Sequence, residues 1–307
     1  MKKILLSLFS ALSVFTLVAC GNDTKEEKTA EQEVPEVTEE AENIAYDKDV
    51  ASISIFLTGN LQALEIIPVG TTTSDFLPLD EKQYPETKYL GFTKEPDMEA
   101  LIALQPDEIF IDAEFAEKHG LDKYEAIATT HVINLDEGRW KDHLNNIAEI
   151  TDRSETAEEF IAAYDAKVED VKALAKETLG DGTVMAVRVS AKGIRVYGME
   201  RPLGPILFED LGFTPAPNVK AITGNWENIS KEVLPDFNAD TMFVLVSSVD
   251  EGSQQVFDEL QNDPIWQSLK AVQNNQVIII EENPWLNYSA YGNKLALENL
   301  EEILSAR

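Results

Sequence analysis

The chain has 307 residues, enough for two ordinary domains, and its 44% apolar and 26% charged content is that of a globular protein. Against 25 Lys and Arg stand 56 Asp and Glu, a net charge of −31 that excludes a nucleic-acid binder or a protein docked on anionic lipid through a basic patch. One cysteine closes no intramolecular disulfide, and three histidines supply little for a zinc centre.

Lys2 and Lys3 precede an apolar run from Ile4 to Val18, which is short for a membrane-spanning helix and has the form of a secretory signal. The run ends Leu17-Val18-Ala19-Cys20-Gly21, which resembles a bacterial lipobox, where the cysteine sulfur receives a diacylglycerol. The expectation is a signal peptide over residues 1–19 and a mature protein anchored by lipid on Cys20 at the outer face of the cell membrane. From Asn22 to Asp47 there are ten acidic residues and two lysines, so residues 20–47 are expected to form a self-repelling, disordered tether. The remaining chain still holds a net −25.

Short apolar runs then alternate with amphipathic stretches. Val50–Phe56 reads as a strand, Asn60–Leu64 as a short helix, and Ile66–Val69 as a second strand ending at Gly70. Met98–Leu104 reads as a helix with Asp97 as its N-cap, closed before Pro106. Glu108–Ile111 and Val132–Leu135 read as strands, and Trp140–Ile150 as a helix. Such alternation predicts βαβ units and a parallel sheet covered on both faces.

Ser154–Leu179 differs in kind. Phe160, Ile161, Tyr164, Val168, Val171 and Leu174 follow helical spacing, Thr156 and Glu159 fit a capping box, and Gly180 and Gly182 end the run. At 1.5 Å per residue the helix is about 40 Å long, the width of a domain. The αβ pattern then restarts. Val184–Ser190 and Ile194–Tyr197 flank a tight hairpin at Lys192-Gly193, and Pro205–Leu211 reads as a helix closed by Gly212. Met242–Val246 and Val277–Ile280 read as strands, with Phe257–Leu260, Ile265–Leu269 and Lys294–Leu304 helical. The expected organisation is an αβ lobe over 48–153, an interlobe helix over 154–180 and a second αβ lobe over 181–307.

Four segments in order resemble the class III solute-binding lipoproteins of bacterial ABC importers, in their iron-siderophore branch. They are Gly91 with Pro96–Ile109, Trp140–Ile150 with Glu155–Glu158, Ile229–Leu234 with Asn238–Phe243, and Asp263–Val272 with Gln276-Val277. One departure is Leu64-Glu65-Ile66, where the family usually has a Leu-Gly pair. The resemblance implies an α/β fold of two Rossmann-like lobes joined by one long rigid helix, with a ferric siderophore held between them and delivered to an ABC permease. It implies no enzymatic chemistry, no resident metal or cofactor beyond lipid on Cys20, and a monomer. It further implies that Glu99 and Glu232, one on each lobe, pair with arginines of the permease.

Of six arginines, Arg188, Arg195 and Arg201 lie within fourteen residues, a marked concentration in so acidic a chain. An anionic chelate wants Arg or Lys, whereas a neutral one relies on aromatic walls. Arg201, in the loop Gly198–Gly204, is the leading ligand-binding candidate. Arg188 points to the opposite sheet face from Met185, Val187 and Val189, and Tyr197 shares strand parity with Arg195. Trp226, Trp285, Tyr288 and Tyr291 occupy loops, the last three just beyond a strand's carboxyl end, where αβ folds place ligand contacts. The first lobe, without Arg before Arg139, offers Thr58, Asn60, Phe76, Lys94 and Phe115.

Rival readings remain at this level. Haem or cobalamin would fit the same scaffold, and a lipid-anchored surface interaction protein would be a different class. His119, His131 and His143 have no metal-ligand spacing, and no Gly-x-Ser-x-Gly, Walker or His-Glu-x-x-His motif occurs.

Overall fold

The computed structural model describes residues 46–307; the expected signal peptide, Cys20 and most of the acidic tether lie outside the described residues. Two sheets are present. The first is built from β1 (Val50–Ile53), β2 (Gly70–Thr73), β3 (Lys88–Phe92), β4 (Glu95–Pro96), β5 (Glu108–Asp112) and β6 (Thr129–Ile133). Their order is β4-β3-β2-β1-β5-β6, parallel except for the β3–β4 pair. The second comprises β7 (Thr183–Ser190), β8 (Gly193–Tyr197), β9 (Thr214–Pro215), β10 (Trp226–Ile229), β11 (Thr241–Val246) and β12 (Val277–Ile280). Here β10-β8-β7-β11-β12 lie side by side, β7, β11 and β12 are parallel, and β8 runs antiparallel to both its neighbours.

Local chemistry explains most boundaries. Asp97 caps the Met98–Leu104 helix as expected, its carboxylate accepting from the Ala100 amide at 2.9 Å. The helices Trp140–Ile150 and Ser154–Leu179 span the residues their periodicity predicts. The Thr156–Glu159 pattern is not the cap, however: the long helix starts at Ser154, with the Ala157 amide bonded to the Arg153 carbonyl at 3.0 Å. The expected helix at Pro205–Leu211 is a wide π turn over Pro205–Asp210.

The opening of the first sheet departs from the sequence reading. The strand stops at Ile53 because Ser54 caps a helix, Ile55–Ala63, accepting from the Phe56 amide. Residues 66–69 are not a strand; β2 begins at Gly70. Between them Glu65 adopts φ 62°, the left-handed conformation that an L side chain disfavours and a glycine accepts freely. The departure from the Leu-Gly pair thus coincides with a strained turn.

The two sheets share one apolar layer. The long helix buries Ala157, Tyr164, Val168, Val171 and Ala175. The final helix, Ala290–Ser305, packs against it and against the Ile55–Ala63 helix of the first half. A single cluster of buried side chains runs from Val50 through Tyr164 and Val171 to Phe243, Ile278 and Leu304. The last helix therefore serves both halves. Its contact with the first is close: a Cβ on Gly59 would stand 2.1 Å from Ser289 Oγ, and Asn60 accepts from the Ala290 amide at 2.8 Å. No described helix is long and apolar enough to cross a membrane.

Glu65→Gly is expected to raise stability by about 0.5–1 kcal/mol through relief of the positive φ, read as a higher urea midpoint with an unchanged slope.

Candidate functional site

A cavity of about 220 Å3 opens between the halves. From the first come Phe56 and Phe76, and from the second Arg188, Arg195, Tyr197, Arg201, Pro202, Asn225, Trp226, Leu286 and Tyr288. The register of the hairpin β7–β8 explains the grouping. Arg188 lies directly opposite Arg195, and Tyr197 lies opposite Trp226 on β10. All four side chains therefore share one sheet face.

Two guanidinium groups directly opposed on one face repel. Each is managed differently. Arg188 Nε donates to Glu282 Oε1 at 2.5 Å and its Nη2 to Ser247 Oγ at 2.9 Å. Glu282, itself 4% exposed, also accepts from the Ser248 amide and hydroxyl. Arg195 has no carboxylate partner among the described residues. It lies 4.3 Å from the centroid of the Trp226 ring, and its polar contact to Asn228 is long, at 3.5 Å. Arg201 reaches Asp136 of the first half in an ion pair. The cationic wall of the cavity thus comes entirely from the second half, and the first supplies two aromatic rings.

Both phenols are neutral at physiological pH. Burial raises Tyr197 and Tyr288 to about 12. The Tyr288 hydroxyl accepts from the Trp140 amide at 3.2 Å, a link between the halves beside the cavity. Arg139 adds a second such link, bidentate to Glu209 at 2.7 and 3.1 Å and bonded to Glu200 at 2.8 Å. These groups are exposed, so they steer the geometry more than they stabilise it.

Of the sequence candidates, Arg188, Arg195, Arg201, Tyr197, Trp226, Tyr288 and Phe76 meet in this one cavity. Trp285 does not. It is 2% exposed, packs on Phe243 and donates from its indole to Asn299 at 2.9 Å, so it is a core residue. Thr58 and Asn60 are buried on the Ile55–Ala63 helix, Phe115 packs on the first core, and Lys94 is exposed near Asp75. Tyr291 is placed under Lys294 on the final helix. Glu99 and Glu232 are both exposed, each in the first turn of a helical segment. Residues that sequence reasoning missed include Phe56, Leu286 and Glu282. Ser54 as an N-cap would have marked Phe56 as the first helical turn beyond β1; Glu282, one of two acidic residues after β12, carries no comparable signal. Among the described residues no group of three His, Cys, Asp or Glu side chains could hold a metal.

An aromatic and guanidinium-walled cavity between two αβ lobes suits contact with a ligand that is partly apolar and partly anionic. The chain belongs to the periplasmic binding protein family, whose model matches residues 50–284. It is 28% identical over 302 residues to the iron-uptake system-binding protein of Bacillus subtilis, covering 92% of each chain. It is 29% identical over 293 residues to the iron(3+)-hydroxamate-binding protein FhuD of the same organism, covering 90% of this chain and 89% of that one. The crystal structure of Staphylococcus aureus SirA complexed with staphyloferrin B aligns with a TM-score of 0.73 at 26% identity, over 84% of this chain and 93% of that one.

Beside the cavity, burial pushes the Asp112 carboxyl up to about 6, although Arg201 nearby and a bond from the Glu114 amide favour its charged form. Below the ordinary carboxylate range Asp112 is protonated in both folded and unfolded chains and costs nothing. As pH rises from there to about 6 the unfolded chain releases the proton first, so stability falls, and above that the full penalty is in place. Asp112→Asn keeps an acceptor for the Glu114 amide. It is expected to raise stability by about 2 kcal/mol at pH 7 and far less at pH 4, measured as urea unfolding free energy at each pH.

Proposed function

We propose that the protein is the extracytoplasmic substrate-binding component of an ABC importer and captures a ferric siderophore in the cavity between its lobes. The observation that carries this reading is Arg195, held 4.3 Å from the Trp226 ring centroid with no carboxylate partner among the described residues, in a cavity that also presents Arg188 and Arg201. A guanidinium in that state has donors free for the oxygens of a chelate, and the rings of Phe56, Phe76, Tyr197, Trp226 and Tyr288 cover the chelate's apolar bulk. Similarity to an iron-uptake system-binding protein, to an iron(3+)-hydroxamate-binding protein and to SirA complexed with staphyloferrin B supports the same ligand class.

In this reading Arg188, Arg195, Arg201, Tyr197, Trp226 and Tyr288 hold the ligand. The protein hangs from lipid on Cys20 through its acidic tether, acts as a monomer, and docks on the permease through Glu99 and Glu232. Both glutamates are exposed, as docking requires. Such charge pairs set register and on-rate more than affinity. The shared helical layer allows only small lobe movement, so delivery would rest on the permease loosening the Arg139 and Arg201 links across the cleft.

The test is quenching of intrinsic tryptophan fluorescence by a panel of ferric siderophores, haem and cobalamin. Saturable sub-micromolar quenching by a ferric chelate is the expected result; saturation by haem or cobalamin alone, or by nothing, would overturn the assignment. Arg195→Ala is expected to weaken binding about tenfold or more. Arg201→Ala should cost less, because Asp136 already matches its charge. Reversing the charge of Glu99 and Glu232 together should leave affinity unchanged and abolish uptake by cells.

A further inference from the structure

The Arg188–Arg195 row has two sides. On one is the aromatic cavity. On the other, along the same sheet face toward the tip of the β7–β8 hairpin, lies a second cavity of about 270 Å3. It is walled by the same two arginines together with Ser190, Lys192, Gly193 and Asn228, and Asp250 closes it. Register accounts for its shape. Ser190 pairs with Gly193 two positions beyond the Arg188–Arg195 pair, on the same face, and no atom lies within 4 Å of where a Gly193 Cβ would stand. A small hydroxyl and an absent side chain leave room where larger residues would fill the face.

The chemistry of the second cavity differs from that of the first. It has no aromatic wall, and it gathers three cationic side chains, Arg188, Arg195 and Lys192. Lys192 Nζ meets Asp250 Oδ1 at 2.5 Å across 58 residues of chain, and the lysine side chain is 82% exposed. Asp250 is held at the site by Ser247 Oγ, which donates to it at 3.2 Å and also accepts from Arg188. Carboxylates thus already occupy two of the three cations, Glu282 on Arg188 and Asp250 on Lys192, while Arg195 has none among the described residues.

Size points the same way. The aromatic cavity alone falls short of the ~300–1,000 Å3 typical of small-molecule sites. The two cavities share Arg188 and Arg195 as walls, so a ligand that crosses the arginine row has both to occupy.

We propose that the ligand straddles the Arg188–Arg195 row and places a free carboxylate arm in the second cavity, where Lys192 leaves Asp250 to bind it. This rests on the ferric-chelate reading above and narrows it to chelates with an anionic arm. Lys192 is the specificity-determining residue, and Asp250 is a resident competitor that occupies the lysine until the arm arrives. No covalent step is involved.

The experiment titrates the purified protein, by tryptophan quenching, with ferric citrate and ferric staphyloferrin B as carboxylate-bearing chelates and with ferrioxamine B as a chelate without free carboxylates. The same titrations are made on Lys192→Glu, Lys192→Arg and Asp250→Asn. The expected result is saturable binding of at least one carboxylate-bearing chelate, weakened about tenfold by Lys192→Glu and retained by Lys192→Arg. Asp250→Asn should tighten that binding severalfold, an effect opposite to that of simple structural damage. Ferrioxamine B, if it binds, should be indifferent to all three changes. Binding of ferrioxamine B alone, equal weakening of every chelate by Lys192→Glu, or weakening by Asp250→Asn would overturn the proposal while leaving the ferric-chelate reading intact. Absence of binding to every ferric chelate would overturn both.

Discussion

The geometry of the cleft depends on one apolar layer common to both sheets. Tyr164, Val168 and Val171 of the long helix belong to the same buried cluster as Leu61 and Trp140 on one side and Phe243 and Ile278 on the other. The final helix doubles the connection by packing on the long helix and on the first helix after β1. Opening the halves widely would expose part of this cluster to water, at about 25 cal/mol for each Å2 of apolar surface. A cavity bounded by such a layer keeps its shape, so its walls can be arranged before a ligand arrives.

That rigidity permits an electrostatic arrangement that a softer scaffold would relax. Opposing Arg188 and Arg195 on one hairpin face is unfavourable in itself. The fold tolerates it by giving one arginine a buried carboxylate, Glu282, and the other an aromatic face, Trp226. The first solution neutralises charge; the second leaves it in place. A chain with a net charge of −31 thereby keeps, in the cavity between the lobes, a guanidinium with no carboxylate partner among the described residues. Electrostatic complementarity of this kind acts on on-rate and specificity as well as on affinity.

Several features are legible in the sequence. Helical periodicity is enough for Trp140–Ile150 and Ser154–Leu179, because a long amphipathic pattern averages over local noise. The three clustered arginines are legible because they stand out from an acidic background, and their meeting with Tyr197 and Trp226 follows from strand parity and hairpin pairing. The start of the first sheet misleads because Val50–Phe56 is largely apolar, and only the Ser54 cap distinguishes strand from helix within it. Trp285 misleads because its place after a strand's carboxyl end suits a core aromatic as well as a ligand contact. The distinction comes from Asn299 on the next helix, which accepts a hydrogen bond from its indole N–H.

Local patterns by themselves determined the αβ alternation, the spanning helix, the acidic charge of the body and the concentration of arginine in the second half. All of these are properties of neighbours along the chain, which spacing and composition report directly. Tertiary structure alone decided that the last helix serves both halves, that Glu282 occupies Arg188 while Arg195 stays open, and that Asp250 holds Lys192. Each of these joins residues tens to hundreds of positions apart, whose approach is set by how the two sheets seat on their shared apolar layer rather than by any signal in the intervening sequence.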